Sequence, residues 1–62
     1  MTGEELRRQR ESLGLTQEQA AAQVEKSWRT WARYEASQRV PEHAVKLFEI
    51  ENGLRRPSRQ SF

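Results

Sequence analysis

Arg29 and Arg33 stand four residues apart, the spacing that places two side chains on one face of a helix, and Trp28 flanks them. A guanidinium presents a planar fork of N–H donors that fits the O6 and N7 acceptors of guanine, so two forks on one exposed face carry the chemistry of base recognition in a major groove. Lysine at either position would supply charge without the fork. On an arbitrary helix the same pair would be ordinary solvated arginines, so the surrounding residues must decide between the two. The charge distribution leans toward an anionic partner. Lys26 to Arg39 contains four basic residues (Lys26, Arg29, Arg33, Arg39) and one acid, Glu35, whereas residues 1–25 carry three basic and five acidic ones. The net charge of +2 carries little information by itself.

Other chemistry is poorly supplied. Cysteine is absent and His43 is the only histidine, which removes disulfides, thiolate catalysis and Cys/His zinc spacings together. No glycine-rich phosphate loop or nucleophile–base arrangement is present, and a 62-residue chain buries only about 60% of the surface its unfolded form exposes, too little for a deep cleft. The expectation is therefore a non-enzymatic protein with no metal, no cofactor and no small-molecule effector. The longest apolar run is Ala20–Ala22, far short of a membrane span or a signal core, which predicts a soluble cytoplasmic protein.

The elements that must position the arginines can be read from caps and periodicity. Thr2 and Glu5 have the spacing of a capping box and Gly14 offers a stop, so a first helix covers about 3–13 with Leu6, Arg10 and Leu13 on its inward stripe. That stripe places a guanidinium among apolar side chains, where it needs a partner. Thr16 and Gln19 repeat the cap, and Ala20, Ala21 and Val24 form the inner face of a short second helix that another helix can approach closely. After a two-residue connection, Glu25 and Lys26, Ser27 caps a third helix to about Ala36. Trp31, Tyr34 and Glu35 share its inner side, and Arg29, Ala32 and Arg33 the outer. Pro41 starts a fourth helix, about 41–52, with Ala44, Leu47 and Phe48 pointing inward, Val45 and Ile50 toward the flanks, and Gly53 as its stop. The fold class is all-α: four helices, with a fifth as the alternative, in one domain over 1–53, followed by a basic flexible tail over 54–62.

A short helix, a tight turn and an amphipathic helix form the helix-turn-helix pattern. The segment Thr16 to Ser37 resembles the motif of the lambdoid phage repressor and Cro proteins and the XRE-type regulators related to them. Its diagnostic parts are Leu13-Gly-Leu-Thr-Gln17, the small Ala21, and the inward Trp31, Tyr34 and Glu35. The resemblance implies a lambda-repressor-like domain whose 27–36 helix enters the major groove of double-stranded DNA. It implies base contacts from Trp28, Arg29 and Arg33, and backbone contacts from Gln17, Ser27 and Arg39; Lys26 beside them reads as a cation near the DNA backbone, with a solvated side chain as the alternative, and the lone His43 as a surface residue. It also implies an ion pair between Arg10 and Glu35, which answers the buried-charge problem of the first helix. Two positions depart from the family pattern. The turn position usually filled by glycine is Glu25, where a left-handed backbone costs roughly 1–2 kcal/mol, and the glycine expected after the recognition helix is Ser37.

Trp28 sits at the border of the two faces, where packing at the core edge competes with DNA contact. For Arg55, Arg56 and Arg59, phosphate tracking competes with a merely solvated end. Apolar positions on the fourth helix exceed what one face buries, and Val45 and Ile50 are expected in a homodimer interface reading an inverted-repeat operator. The function expected is that of a phage or bacterial transcriptional repressor or autorepressor. The alternative is a protein-interaction module using the same helix-turn-helix face, since tryptophan and arginine are also interface hot spots.

Overall fold

The computed structural model of the protein describes residues 1–54; the basic segment carrying Arg55, Arg56 and Arg59 lies outside the described residues, and with it all of the expected tail except Leu54. Four α-helices and no strands occur among the described residues: α1 (Gly3–Ser12), α2 (Gln17–Gln23), α3 (Trp28–Ala36) and α4 (Glu42–Glu51). Among those residues, no helix is long and apolar enough to cross a membrane.

The starts of the first three helices follow from their cap residues. Thr2 accepts from the Glu5 backbone N–H at 3.2 Å while the Glu5 carboxylate accepts from the Thr2 N–H at 2.9 Å. Thr16 and Gln19 repeat this reciprocal arrangement, and Ser27 accepts from the Thr30 N–H. Each cap satisfies backbone donors that the helix itself leaves unpaired. Pro41 caps α4 without a side-chain hydrogen bond, just outside the helix it was expected to begin.

The ends of α1, α2 and α4 share one device. In each, a residue with left-handed backbone donates to the carbonyl three residues back, and the next residue donates to the carbonyl five back: Gly14 and Leu15, Glu25 and Lys26, Gly53 and Leu54. Two of the three left-handed residues are glycines, but Glu25, with φ of 59°, is not. The tight turn into α3 is thus built with the backbone that glycine favours. Replacing Glu25 by glycine is expected to relieve roughly 1–2 kcal/mol of strain. Part of this is offset by the greater freedom of glycine in the unfolded chain, leaving a gain of about 0.5–1 kcal/mol, or a few degrees in Tm for a domain of this size. Thermal melting of the two proteins checks it; a lower Tm for Glu25→Gly would mean that the glutamate side chain holds the turn by other means. Ser37, by contrast, is extended (φ −93°, ψ 161°) and has no need of glycine.

One core joins the helices: Leu6 from α1, Ala20 and Ala21 from α2 with Val24 at its C-cap, Trp31 from α3, Val40 from the following loop, and Ala44, Val45 and Phe48 from α4. Trp31 and Phe48 are fully buried with ring centroids 5.2 Å apart, and Tyr34 meets the Trp31 ring edge-on at 6.3 Å. The two alanines supply the volume that the indole fills, since small residues on α2 let α3 come close.

Two expectations about the inward faces are corrected. Leu13 is exposed because α1 stops at Ser12, leaving Leu13 as the C-cap; Leu15, beyond the Gly14 turn, packs on the core instead. On α4, Val45 is buried and Leu47 is exposed, the reverse of the expected assignment. Residues 41, 44, 45, 48 and 52 form one continuous stripe at helical spacing, and the position of α2 and α3, rather than side-chain size, selects it. Val45 therefore lines a depression beside Met1 and Val40 and drops out of the candidate dimer surface.

Candidate nucleic-acid interface

α3 has two faces with different constraints. On the inner face, the Glu35 carboxylate collects four hydrogen bonds from three side chains. Arg10 donates through Nε at 2.5 Å to Oε2 and through Nη2 at 3.4 Å to Oε1, Gln17 Nε2 donates at 3.0 Å to Oε1, and Trp31 Nε1 donates to Oε2. Arg10 also donates to the Leu15 carbonyl at 2.9 Å. The Arg10 and Glu35 side chains are only 12% and 6% exposed, so the ion pair expected from the sequence exists and is largely withdrawn from water. Burial alone would raise the pKa of Glu35. The hydrogen bonds from Arg10, Gln17 and Trp31, together with the Arg10 charge, outweigh it and hold the carboxyl below its ordinary value of 4.5. The carboxylate thereby ties α1, the start of α2 and the inner side of α3 at one point.

With Trp31 and Glu35 held inside, the opposite face of α3 must project outward. Arg29 and Arg33 are exposed, Ala32 is half-buried between them, and Trp28 is 49% exposed at the first helical position. The Arg29 guanidinium carbon lies over the Trp28 ring, 5.7 Å from its centroid. Among the described residues neither arginine has a carboxylate partner. Lys26 and Ser27 are exposed at the start of the same helix, and the Ser27 hydroxyl is engaged as its cap, within 3.2 Å of the Thr30 hydroxyl. Arg39 is exposed in the loop after α3, at the opposite end of a helix about 13 Å long. His43 is exposed at the start of α4.

Gln17 differs from the others. It was expected to face a phosphate, but one N–H of its amide points inward to Glu35 and the residue is half-buried. The remaining amide N–H is the group left to meet an anion.

Two members of this arrangement were not singled out from the sequence. Trp31 was assigned to the core alone; its i, i+4 spacing from Glu35, with the need of a buried indole N–H for an acceptor, was the available signal. Gly3 is buried where α1 meets the end of α3, donating to the Ser37 carbonyl at 3.0 Å, and a Cβ there would collide with the carbonyls of Tyr34 and Glu35. Nothing in its sequence context distinguishes it from any first-turn residue. On α4, Leu47 and Ile50 are exposed apolar residues at i and i+3, and Leu54 is exposed beyond the Gly53 turn; Ile50 was expected at such a surface, and Leu47 takes the place of Val45.

A family model described as a helix-turn-helix domain matches residues 2–48, from the cap of α1 to the last buried residue of α4. No curated protein and no solved structure matches the chain.

Proposed function

The chain belongs to the helix-turn-helix domain family, a family of DNA-binding modules found in XRE-type regulators, and on that premise we propose that it is a sequence-specific repressor of a phage or bacterial operon. The observation that carries this reading is the two-faced α3: its inner side is anchored at Glu35 and Trp31, so Trp28, Arg29 and Arg33 are presented outward as a rigid row. In this proposal α3 lies in the major groove, with Arg33 and Arg29 reading guanines through bidentate contacts and Trp28 beside them. Lys26, Ser27, Arg39 and the free amide N–H of Gln17 contact phosphates, the last aided by the positive end of α2. Two copies associate through the exposed Leu47 and Ile50 of α4, with Leu54 beyond its end, and read inverted half-sites about 34 Å apart, repressing by occlusion in the cytoplasm.

Selection of bound sites from a random DNA pool, followed by gel-shift titration, tests the proposal. Binding is expected to weaken steeply with salt, and Arg33→Ala to lose about 1–3 kcal/mol of discrimination at one base pair of each half-site. An equal loss on selected and random duplex would reassign Arg33 to a phosphate. No shift on any DNA at low salt would sink the proposal and favour a module that holds a protein on the same face.

A further inference from the structure

Trp28 is an unusual side chain to leave in water. Tryptophan carries the largest apolar surface of any residue, and α3 cannot rotate to hide it because Trp31 and Glu35 fix the opposite side. Its ring meets the neighbouring guanidinium of Arg29, whose central carbon is 5.7 Å from the ring centroid. No carboxylate among the described residues competes for that arginine. The ring therefore limits the directions the fork can take, and the attraction between them strengthens when water is displaced.

We propose that Trp28 and Arg29 act as one reading unit, specific for a guanine adjacent to a pyrimidine that carries a C5 methyl group. The proposal rests on the DNA-reading function above and adds the step that the site prefers. A fork bonded to guanine O6 and N7 lies in the plane of that base pair. In the proposed complex the Trp28 ring closes from 5.7 Å onto the face of the fork and so lies at the level of the next pair along, since base pairs are about 3.4 Å apart. The apolar group on the major-groove edge at that level is the C5 methyl of thymine, which 5-methylcytosine also carries. Trp28 would thus serve twice, as a positioning residue for Arg29 and as the surface that meets the methyl group.

The test uses the full chain and duplexes built on its selected site. The guanine read by Arg29 is the one whose replacement by 7-deazaguanine weakens the wild type and not Arg29→Ala. At the adjacent pyrimidine, thymine, uracil, cytosine and 5-methylcytosine are then compared. Removing the methyl group from either base is expected to weaken wild-type binding by roughly three- to tenfold, the value of burying one methyl. Trp28→Ala should bind thymine and uracil alike, bind cytosine and 5-methylcytosine alike, and lose guanine discrimination, whereas Trp28→Phe, which keeps a ring face, should retain both preferences in part. Trp28→Ala combined with Arg29→Ala should be little weaker than Arg29→Ala alone. If only the thymine–uracil pair shows the effect, the unit reads thymine and excludes the modified base. Wild-type binding indifferent to the methyl in both pairs, or a methyl preference that survives in Trp28→Ala, would overturn the unit. A selection that yields no consensus would remove the DNA-reading function itself, a different failure.

Discussion

Replacing Glu35 by alanine is expected to lower stability by about 3–5 kcal/mol, because it removes the buried carboxylate from the Arg10 guanidinium, which is 12% exposed, and leaves it only the exposed Glu11 carboxylate at 3.8 Å. The same change strands the Trp31 indole N–H in the core and frees Gln17. A chain of this size has only about 3–9 kcal/mol in total, so the variant should lose a large share of its stability and melt well below the wild type. The attractive part of the interaction is smaller than this loss. A double replacement of Arg10 and Glu35 by apolar residues of similar volume should recover the part of the loss that comes from the unpaired charge, but not the part from the Trp31 N–H and the Leu15 carbonyl left without partners. Chemical denaturation of the three proteins measures both effects. A loss below about 1 kcal/mol for Glu35→Ala would show that water reaches the pair.

The pH dependence follows with its sign. The folded pKa of Glu35 lies below the ordinary 4.5, so its contribution is fully present above that value and is lost as pH falls through the folded one. Wild-type stability should therefore fall more steeply than that of Glu35→Gln as the pH drops below about 4.5. Parallel curves would place the acid-sensitive group elsewhere.

Gly3→Ala is expected to destabilise the fold by about 3 kcal/mol, at the upper end of the usual cost of overpacking, because the obstacles are the backbone carbonyls of Tyr34 and Glu35 and cannot rotate aside. Helix propensity alone predicts the opposite sign, since alanine is favoured over glycine by up to about 1 kcal/mol within a helix. To accept a methyl group α1 must move away from α3, breaking the Gly3 N–H to Ser37 carbonyl bond and stretching the Arg10–Glu35 contact. A rise in Tm would mean that α1 shifts without cost.

Helix starts were legible because a cap is a local event: Thr2, Thr16 and Ser27 satisfy donors within three residues of themselves, and no distant group is needed. Gly14 and Gly53 marked helix ends for the same reason. The need for a partner at Arg10 was equally local, since a charge on an apolar stripe is unstable alone. Its identity as Glu35 came from the family resemblance and agrees with the structure.

What only the tertiary structure decided lies where residues far apart in sequence share a space. Val45 and Leu47 are both apolar and both fit an amphipathic α4, so their assignment to core and surface waited on where α2 and α3 stand. Gly3 acquires its meaning from two carbonyls more than thirty residues away. The inward turn of the Gln17 amide and the seat of the Trp31 N–H likewise depend on how three helices converge on one carboxylate. Local capping determined where the helices begin and helical spacing put Arg29 and Arg33 on one face, while close packing among non-adjacent helices decided that this face points outward and what holds it in place.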